Sequence, residues 1–154
     1  MRRWPKKGKH RATTFGNLTR SQLMTRVKSS GNKTTEVRMA HLLRKAGVKG
    51  WRRHLPLPGK PDFAWPAQKV VVFVDGCFWH GHNCGKNVSP RTNAQEWREK
   101  IENNKKRDRR VAGQLRRRGW SVLRIWECRL RCAPDICIRR IRRALEQRAP
   151  ECPA

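Results

Sequence analysis

Acidic residues are scarce in this 154-residue chain. There are 11 Asp+Glu against 38 Lys+Arg, a formal net charge of +27, and Glu36 is the only acid among the first sixty residues. So large an excess of one sign repels itself when the chain compacts, and a polyanion relieves that repulsion. It exceeds what solubility alone requires, so nucleic acid is the expected partner, bound through neutralised phosphates. Long apolar runs are also missing. No stretch approaches the roughly 18 residues of a membrane span, and no apolar segment follows the charged residues 1–11 as it would in a signal peptide. The expected location is therefore the cytoplasm, at the nucleoid, with no membrane role. Tyrosine is absent although there are seven Trp, and no internal repeat is visible. The length suits one domain with one modest core. Six cysteines in a basic cytosolic chain suggest metal ligation before disulfides.

Residues 1–17 read as a flexible basic arm, with Arg2, Arg3, Lys6, Lys7, Lys9 and Arg11 around the anchors Trp4 and Phe15. A single domain is expected over 18–150. A short helix is expected over 21–27, and a Ser- and Gly-rich loop over 29–33. Thr34 can cap a helix that runs to Ala46 and ends at Gly47, with Met39, Leu42, Leu43 and Ala46 on its buried face. Extended segments follow at 51–55, at 62–65 and at 69–75. The last is a short, continuous apolar run whose β-branched content suits a central strand. Residues 93–118 read as a very basic helix with Trp97, Ile101, Asn104, Asp108, Val111 and Leu115 on one stripe. Asp108 thus points with the core residues and needs a partner. A strand over 120–127 and a helix over 134–147 complete an α/β arrangement of helices around one mixed sheet.

The chemistry is concentrated in residues 75–84, Asp-Gly-Cys-Phe-Trp-His-Gly-His-Asn-Cys. Zinc takes four ligands, usually thiolate and imidazole, in a tetrahedron. Cys77, His82 and Cys84 can wrap one ion, and Cys128 supplies the fourth ligand if its strand lies beside 69–75. Cys132 competes for that place, and Cys137 reads as a packed helix residue. Four protein ligands leave no open position, so this zinc is structural. It would hold Phe78, Trp79 and His80 in place. Phe78 and Trp79, with Trp97 at the start of the basic helix, suit stacking on bases or insertion between them. Trp51, Trp65, Trp120 and Trp126 suit core packing better. Asp62 and Asp75, at neighbouring strand ends, form a site for a hard cation such as Mg2+. A cation-held phosphate and a water activated by His80 would make a phosphodiesterase. Glu36, in the first turn of its helix, also suits the helix dipole.

Taken together, the run Leu57-Pro-Gly-Lys-Pro-Asp62, the strand at 70–74, the block Gly76-Cys-Phe-Trp-His80, Trp97, Asp108 and Trp126-Glu-Cys128 resemble the very-short-patch repair (Vsr) endonucleases. Residues 24–28 and 35–37 fit the same pattern, and the match runs from about residue 18 to about residue 130. The resemblance implies a restriction-endonuclease-like core. It implies Mg2+-dependent incision on the 5′ side of the thymine in a T·G mismatch left by deaminated 5-methylcytosine, on double-stranded DNA and alongside mismatch-repair proteins. By resemblance, Asp62 and the backbone carbonyl of Val74 hold Mg2+, His80 is the general base, Asp108 orients a catalytic histidine, and Glu36 is a functional acid near the site. Phe78, Trp79 and Trp97 match the intercalating aromatics, and Cys77, His82, Cys84 and Cys128 match the structural zinc ligands. Position 75 departs, being Asp where well-known members carry a second catalytic histidine, so Asp75 is open to a role as a second metal ligand. Gly81 and Asn83 replace histidines common in this loop.

Two other readings stand beside this one. A nuclease of the same fold could act on another DNA target, or the chain could be a non-catalytic, zinc-stabilised nucleic-acid-binding module. The pair Asp62 and His80 separates them, because a passive module has no need of a carboxylate and a free imidazole within a positive face. No exposed apolar stripe is left over, which makes a monomer the default.

Overall fold

The computed structural model describes residues 35–84 and 94–148. The basic arm expected over 1–17, the helix expected over 21–27 and the loop at 29–33 lie outside them. The elements in chain order are α1 (Glu36–Lys45), β1 (Phe63–Trp65), β2 (Val70–Asp75), α2 (Ala94–Arg117), β3 (Ser121–Trp126), α3 (Glu127–Cys132) and α4 (Pro134–Glu146).

The strands form one sheet in the order β1-β2-β3. β1 runs antiparallel to β2, with Phe63 opposite Val72, and β3 runs parallel to β2 from Val70 opposite Ser121 to Asp75 opposite Trp126. A parallel neighbour needs a long crossover, and α2 provides it. β2 is the central strand expected from its apolar run, and all six of its residues are buried. Alternation along the strand divides them between two cores. Val70, Val72 and Val74 face one core with Phe63, Trp65 and Ile125, closed by Met39 and Leu43 of α1 and by Ile138 and Ile141 of α4. Val71 and Phe73 face the other with Ala64, closed by Val111 and Leu115 of α2. The fold is α/β, with helices on both faces of a mixed three-stranded sheet. No helix of the described residues is long and apolar enough to cross a membrane.

Two expectations about elements need correction. Residues 51–55 do not form a strand, and only Arg52 pairs, as a bridge to Ala64. The extended backbone breaks at His54, which takes φ 50°, a left-handed conformation uncommon for a residue other than glycine. The strand expected over 120–127 stops at Trp126, and Glu127 opens the short helix α3, which buries Leu130 completely. The net effect is that the C-terminal ends of β2 and β3 finish side by side, with the 76–84 loop and the start of α3 beyond them.

Candidate active site

Three acids gather near this end of the sheet. Asp62 follows the proline-rich turn, and its Oδ2 accepts a 2.7 Å hydrogen bond from the Val74 N–H, which ties it to β2 one residue before Asp75. Glu36, only 3% exposed, comes from the first turn of α1. It pairs with the Arg53 guanidinium and lies 3.5 Å from His54 Nε2. Glu36, His54 and Asp62 each bring one ligand atom to within 4.8 Å of the others, a set that could hold a metal ion. Burial pushes the Asp62 carboxyl up to about 6; the Val74 amide opposes this, and the charges of Glu36 and Asp75 add to it. Clustered, partly desolvated acids of this kind are relieved by a cation, so the donor set fits a divalent metal.

Beside them stands an oriented imidazole. His80 Nδ1 lies 2.5 Å from Asp108 Oδ2, and its Nε2 lies 3.6 Å from Asp75 Oδ1. The partner that Asp108 needs on the core side of α2 is thus His80, together with Arg124 of β3, whose Nη1 is 2.7 Å from Asp108 Oδ2. The same Nη1 is 2.9 Å from Asp75 Oδ2. Burial acts to raise the Asp108 carboxyl, but hydrogen bonds from His80 and Arg124 outweigh it and hold the group well below the usual carboxylate range. For Asp75, burial wins and raises the carboxyl against the attraction of His80 and Arg124. The loop carrying His80 can close on α2 because residue 81 is glycine. Its φ is +60°, and an added Cβ would come within 2.5 Å of Lys105 Cε and 2.7 Å of Ile101 Cγ2. Asn104 of α2 fixes the same loop by donating a 2.9 Å hydrogen bond to the Trp79 carbonyl.

On the far side of His80 four soft donors converge. The ligand atoms of Cys77, His82, Cys84 and Cys128 all lie within 4.8 Å of one another. Cys128 arrives because β3 is parallel to β2 and ends level with it. Its backbone N–H donates to Cys77 Sγ at 3.4 Å, and its Sγ is 3.5 Å from His82 Nδ1. The His82 ring is stacked on Trp126 at 4.3 Å and 8°, so Trp126 braces this cluster. Burial pushes the Cys77 thiol up to about 12, so a thiolate there calls for a cation to hold it. Three thiols and one imidazole could hold a metal ion and match the preference of zinc. Cys132 is exposed and outside the group, while Cys137 is 2% exposed within the α4 core.

Phe78, Trp79 and Trp97 form one cluster of half-buried rings, with edge-to-face contacts at 5.3, 5.4 and 5.7 Å. A cavity of about 570 Å³ opens beside the imidazole, with Lys105, Arg109, Arg116 and Arg124 among its lining along with His80 and Asp108. Cations in such a cavity suit a phosphate chain.

Every acid and histidine singled out from the sequence thus lies near one end of the sheet. Sequence reasoning missed Arg53, His54 and Arg124. A histidine eight residues before Asp62 was the available signal for His54. The two arginines carried none, being two among 38 basic residues.

Acids gathered for a cation, an imidazole oriented beside them and cationic walls around both are the equipment of a metal-assisted phosphodiesterase. Sequence comparison says of which kind. The family model described as DNA mismatch endonuclease Vsr matches residues 12–86. The DNA mismatch endonuclease Vsr of Escherichia coli is 39% identical over 120 residues, covering 78% of this chain and 76% of its own length. The type II nicking enzyme V.XorIIP of Xanthomonas oryzae is 39% identical over 111 residues, 72% of this chain and 81% of its own. The type II nicking enzyme V.NmeAIP of Neisseria meningitidis is 35% identical over 133 residues, 86% of this chain and 94% of its own. The chain belongs to the Vsr family of DNA mismatch endonucleases.

Proposed function

We propose that this protein is a Mg2+-dependent nickase that recognises a T·G mismatch in double-stranded DNA and cuts on the 5′ side of the thymine, opening very-short-patch repair. One observation carries the reading. His80 is held through Nδ1 by Asp108 at 2.5 Å, which fixes the ring and leaves Nε2 on the side of the acidic groups. That is the arrangement of a general base whose tautomer is set by a carboxylate. His80 would take the proton of the attacking water, and Asp108 would stabilise the imidazolium that results. Asp62, with the backbone carbonyl of Val74, is the seat of Mg2+, and Glu36 supports it from α1. When bound, Mg2+ supplies neutralising charge to the phosphate and to the leaving 3′ oxygen.

Cys77, His82, Cys84 and Cys128 hold a structural Zn2+ that keeps the His80 loop in register with the sheet. Phe78, Trp79 and Trp97 separate into wedges that stack beside the mismatch, and the cations of α2 follow the phosphates. The core is of the restriction-endonuclease type, forming one domain over 18–150 behind a basic arm at 1–17. The protein acts as a monomer in the cytoplasm at the nucleoid, alongside mismatch-repair proteins. The test is incision of a duplex carrying one T·G pair beside a fully matched control, with and without Mg2+. Metal-dependent nicking 5′ to the thymine in the mismatched duplex alone is the expected result. Equal cutting of both duplexes removes the mismatch assignment and favours the same fold acting on another DNA target.

A further inference from the structure

Two carboxylates flank the His80 ring, Asp108 at Nδ1 and Asp75 at Nε2. Their side chains are 12% and 7% exposed, so neither charge is well hydrated. Buried charges need a partner, and one guanidinium serves both. Nη1 of Arg124 donates a 2.7 Å hydrogen bond to Asp108 Oδ2 and lies 2.9 Å from Asp75 Oδ2 as an ion pair in which that buried oxygen accepts no hydrogen bond among the described residues. Arg107 touches only Asp108, at 3.7 Å. Arg124 is not a loose surface arginine. It sits on β3 next to the buried Ile125, pairs in register with Phe73 and lies 5.3 Å over the Phe73 ring.

The position of Asp75 makes this pairing consequential. It follows Val74, whose amide holds Asp62. A carboxylate there, without a cationic partner, would be drawn to any cation bound at Asp62. Arg124 gives Asp75 a counter-ion by charge, while the hydrogen bond of the same Nη1 goes to Asp108. We propose that Arg124 is a positioning residue of the nicking site, taking Asp75 as its ion-pair partner so that this carboxylate stays out of the metal's coordination, and holding Asp108 against His80. The inference rests on the Mg2+-dependent reading above and deepens it. The site uses Asp62 as its metal acid, and Asp75 belongs to the imidazole network.

The experiment compares the zinc-loaded full chain with D75N, R124M and D75N/R124M. Mg2+ binding is followed by calorimetry, nicking of a T·G duplex by single-turnover rate, and folding by thermal melting. D75N is expected to leave Mg2+ affinity within about 2-fold of the parent, since a residue that does not coordinate contributes only remotely. R124M is expected to tighten Mg2+ binding by about 5-fold and to slow nicking by about 100-fold, because the freed carboxylate turns to the metal while Asp108 loses a clamp. In D75N/R124M the Mg2+ affinity returns to that of the parent, and about 10-fold of the lost rate is recovered, the signature of two groups acting as a pair. A purely structural arginine would move neither Mg2+ affinity nor the double-mutant rate in this pattern.

If D75N weakens Mg2+ binding by about 10-fold or more, Asp75 is a metal ligand and the proposal is overturned. An R124M chain with parental affinity and rate overturns it as well. Should R124M fail to fold, D75N alone decides. A parent chain that neither binds Mg2+ nor nicks overturns the proposed function and this inference together, whereas a parent that does both while D75N loses affinity overturns the inference alone.

Discussion

The two candidate metal sites among the described residues are of opposite kinds. On one side, Cys77, His82 and Cys84 lie within eight positions and need only Cys128 from the next strand. On the other, Asp62, Glu36 and His54 come from a turn, a helix and a kinked segment that are distant along the chain. The first set is soft, has four members and suits an ion that never leaves. The second is mostly hard oxygen, incomplete, and suits an ion that must share its coordination with a phosphate. The soft set needs one closed loop and the pairing of β3 with β2. A set built from three elements exists only when the whole domain is packed. The hard set therefore depends on more of the domain's packing than the soft set does.

The sharpest way to break this comparison is to remove a soft ligand. Cys84→Ala should lose zinc and cooperative folding together, because apparent zinc binding energies of about 10 kcal/mol or more are folding energy in small metal sites. Metal content measured alongside thermal melting checks this, and a zinc-free variant that melts like the parent would sink it. Removing the acid at 62 or the imidazole at 80 should act mainly on chemistry. Asp62→Asn should cut nicking by about 10³-fold, and His80→Ala by a similar factor, with duplex affinity within a few-fold of the parent, as for groups that act mainly in the transition state. Loss of binding in step with rate would point to a structural role instead.

A third prediction concerns pH. The Asp62 carboxyl, raised from 3.8 to about 6, holds its proton more tightly in the folded chain than in the unfolded one. The stability this gives the metal-free protein is fully present below 3.8 and is lost as pH rises through about 6. Above that point the proposed Mg2+ would replace the proton. Added Mg2+ should therefore raise the melting temperature at about pH 7.5 and do little at about pH 5, and Asp62→Asn should abolish the difference. Smaller still is the effect expected from the rings. Trp79→Ala and Trp97→Ala should each weaken the preference for a mismatched over a matched duplex by about 1–3 kcal/mol, read from competition binding, with little change in zinc content. At the bottom of the scale, Cys132→Ser should change neither zinc content nor nicking, since Cys132 is exposed and apart from the cluster.

The sequence disclosed these features unevenly, and for physical reasons. The hydrophobic period exposed α1, α2 and α4, and the unbroken apolar run of β2 announced burial on both faces. The soft cluster was legible because three of its members lie within eight positions and are of the residue types that ligate zinc. Helix α3 was not legible. It is six residues long with one buried apolar side chain, Leu130, too short for a period to register, so its first residue read as the end of a strand. The break at 51–55 comes from the backbone of His54, which no side-chain pattern announces. Arg124 stayed hidden because one arginine in a chain of +27 looks like every other. Only its place on the α2 side of β3, level with Phe73, sets it apart.

The parallel register of β2 and β3 has a last consequence, for how such a chain can lengthen or shorten. A strand's side chains alternate in direction, so one inserted residue turns all that follow to the opposite face. Between Arg124 and Cys128 lie only three residues, spanning the end of β3 and the entry to α3. An insertion upstream, in the turn after α2, can be taken up as slack. One placed inside this interval would part the arginine from its two acids or the thiol from its three companions. The stretch from 124 to 128 is a fixed ruler, and insertions or deletions scanned across the gene should be tolerated around it and lethal to activity within it.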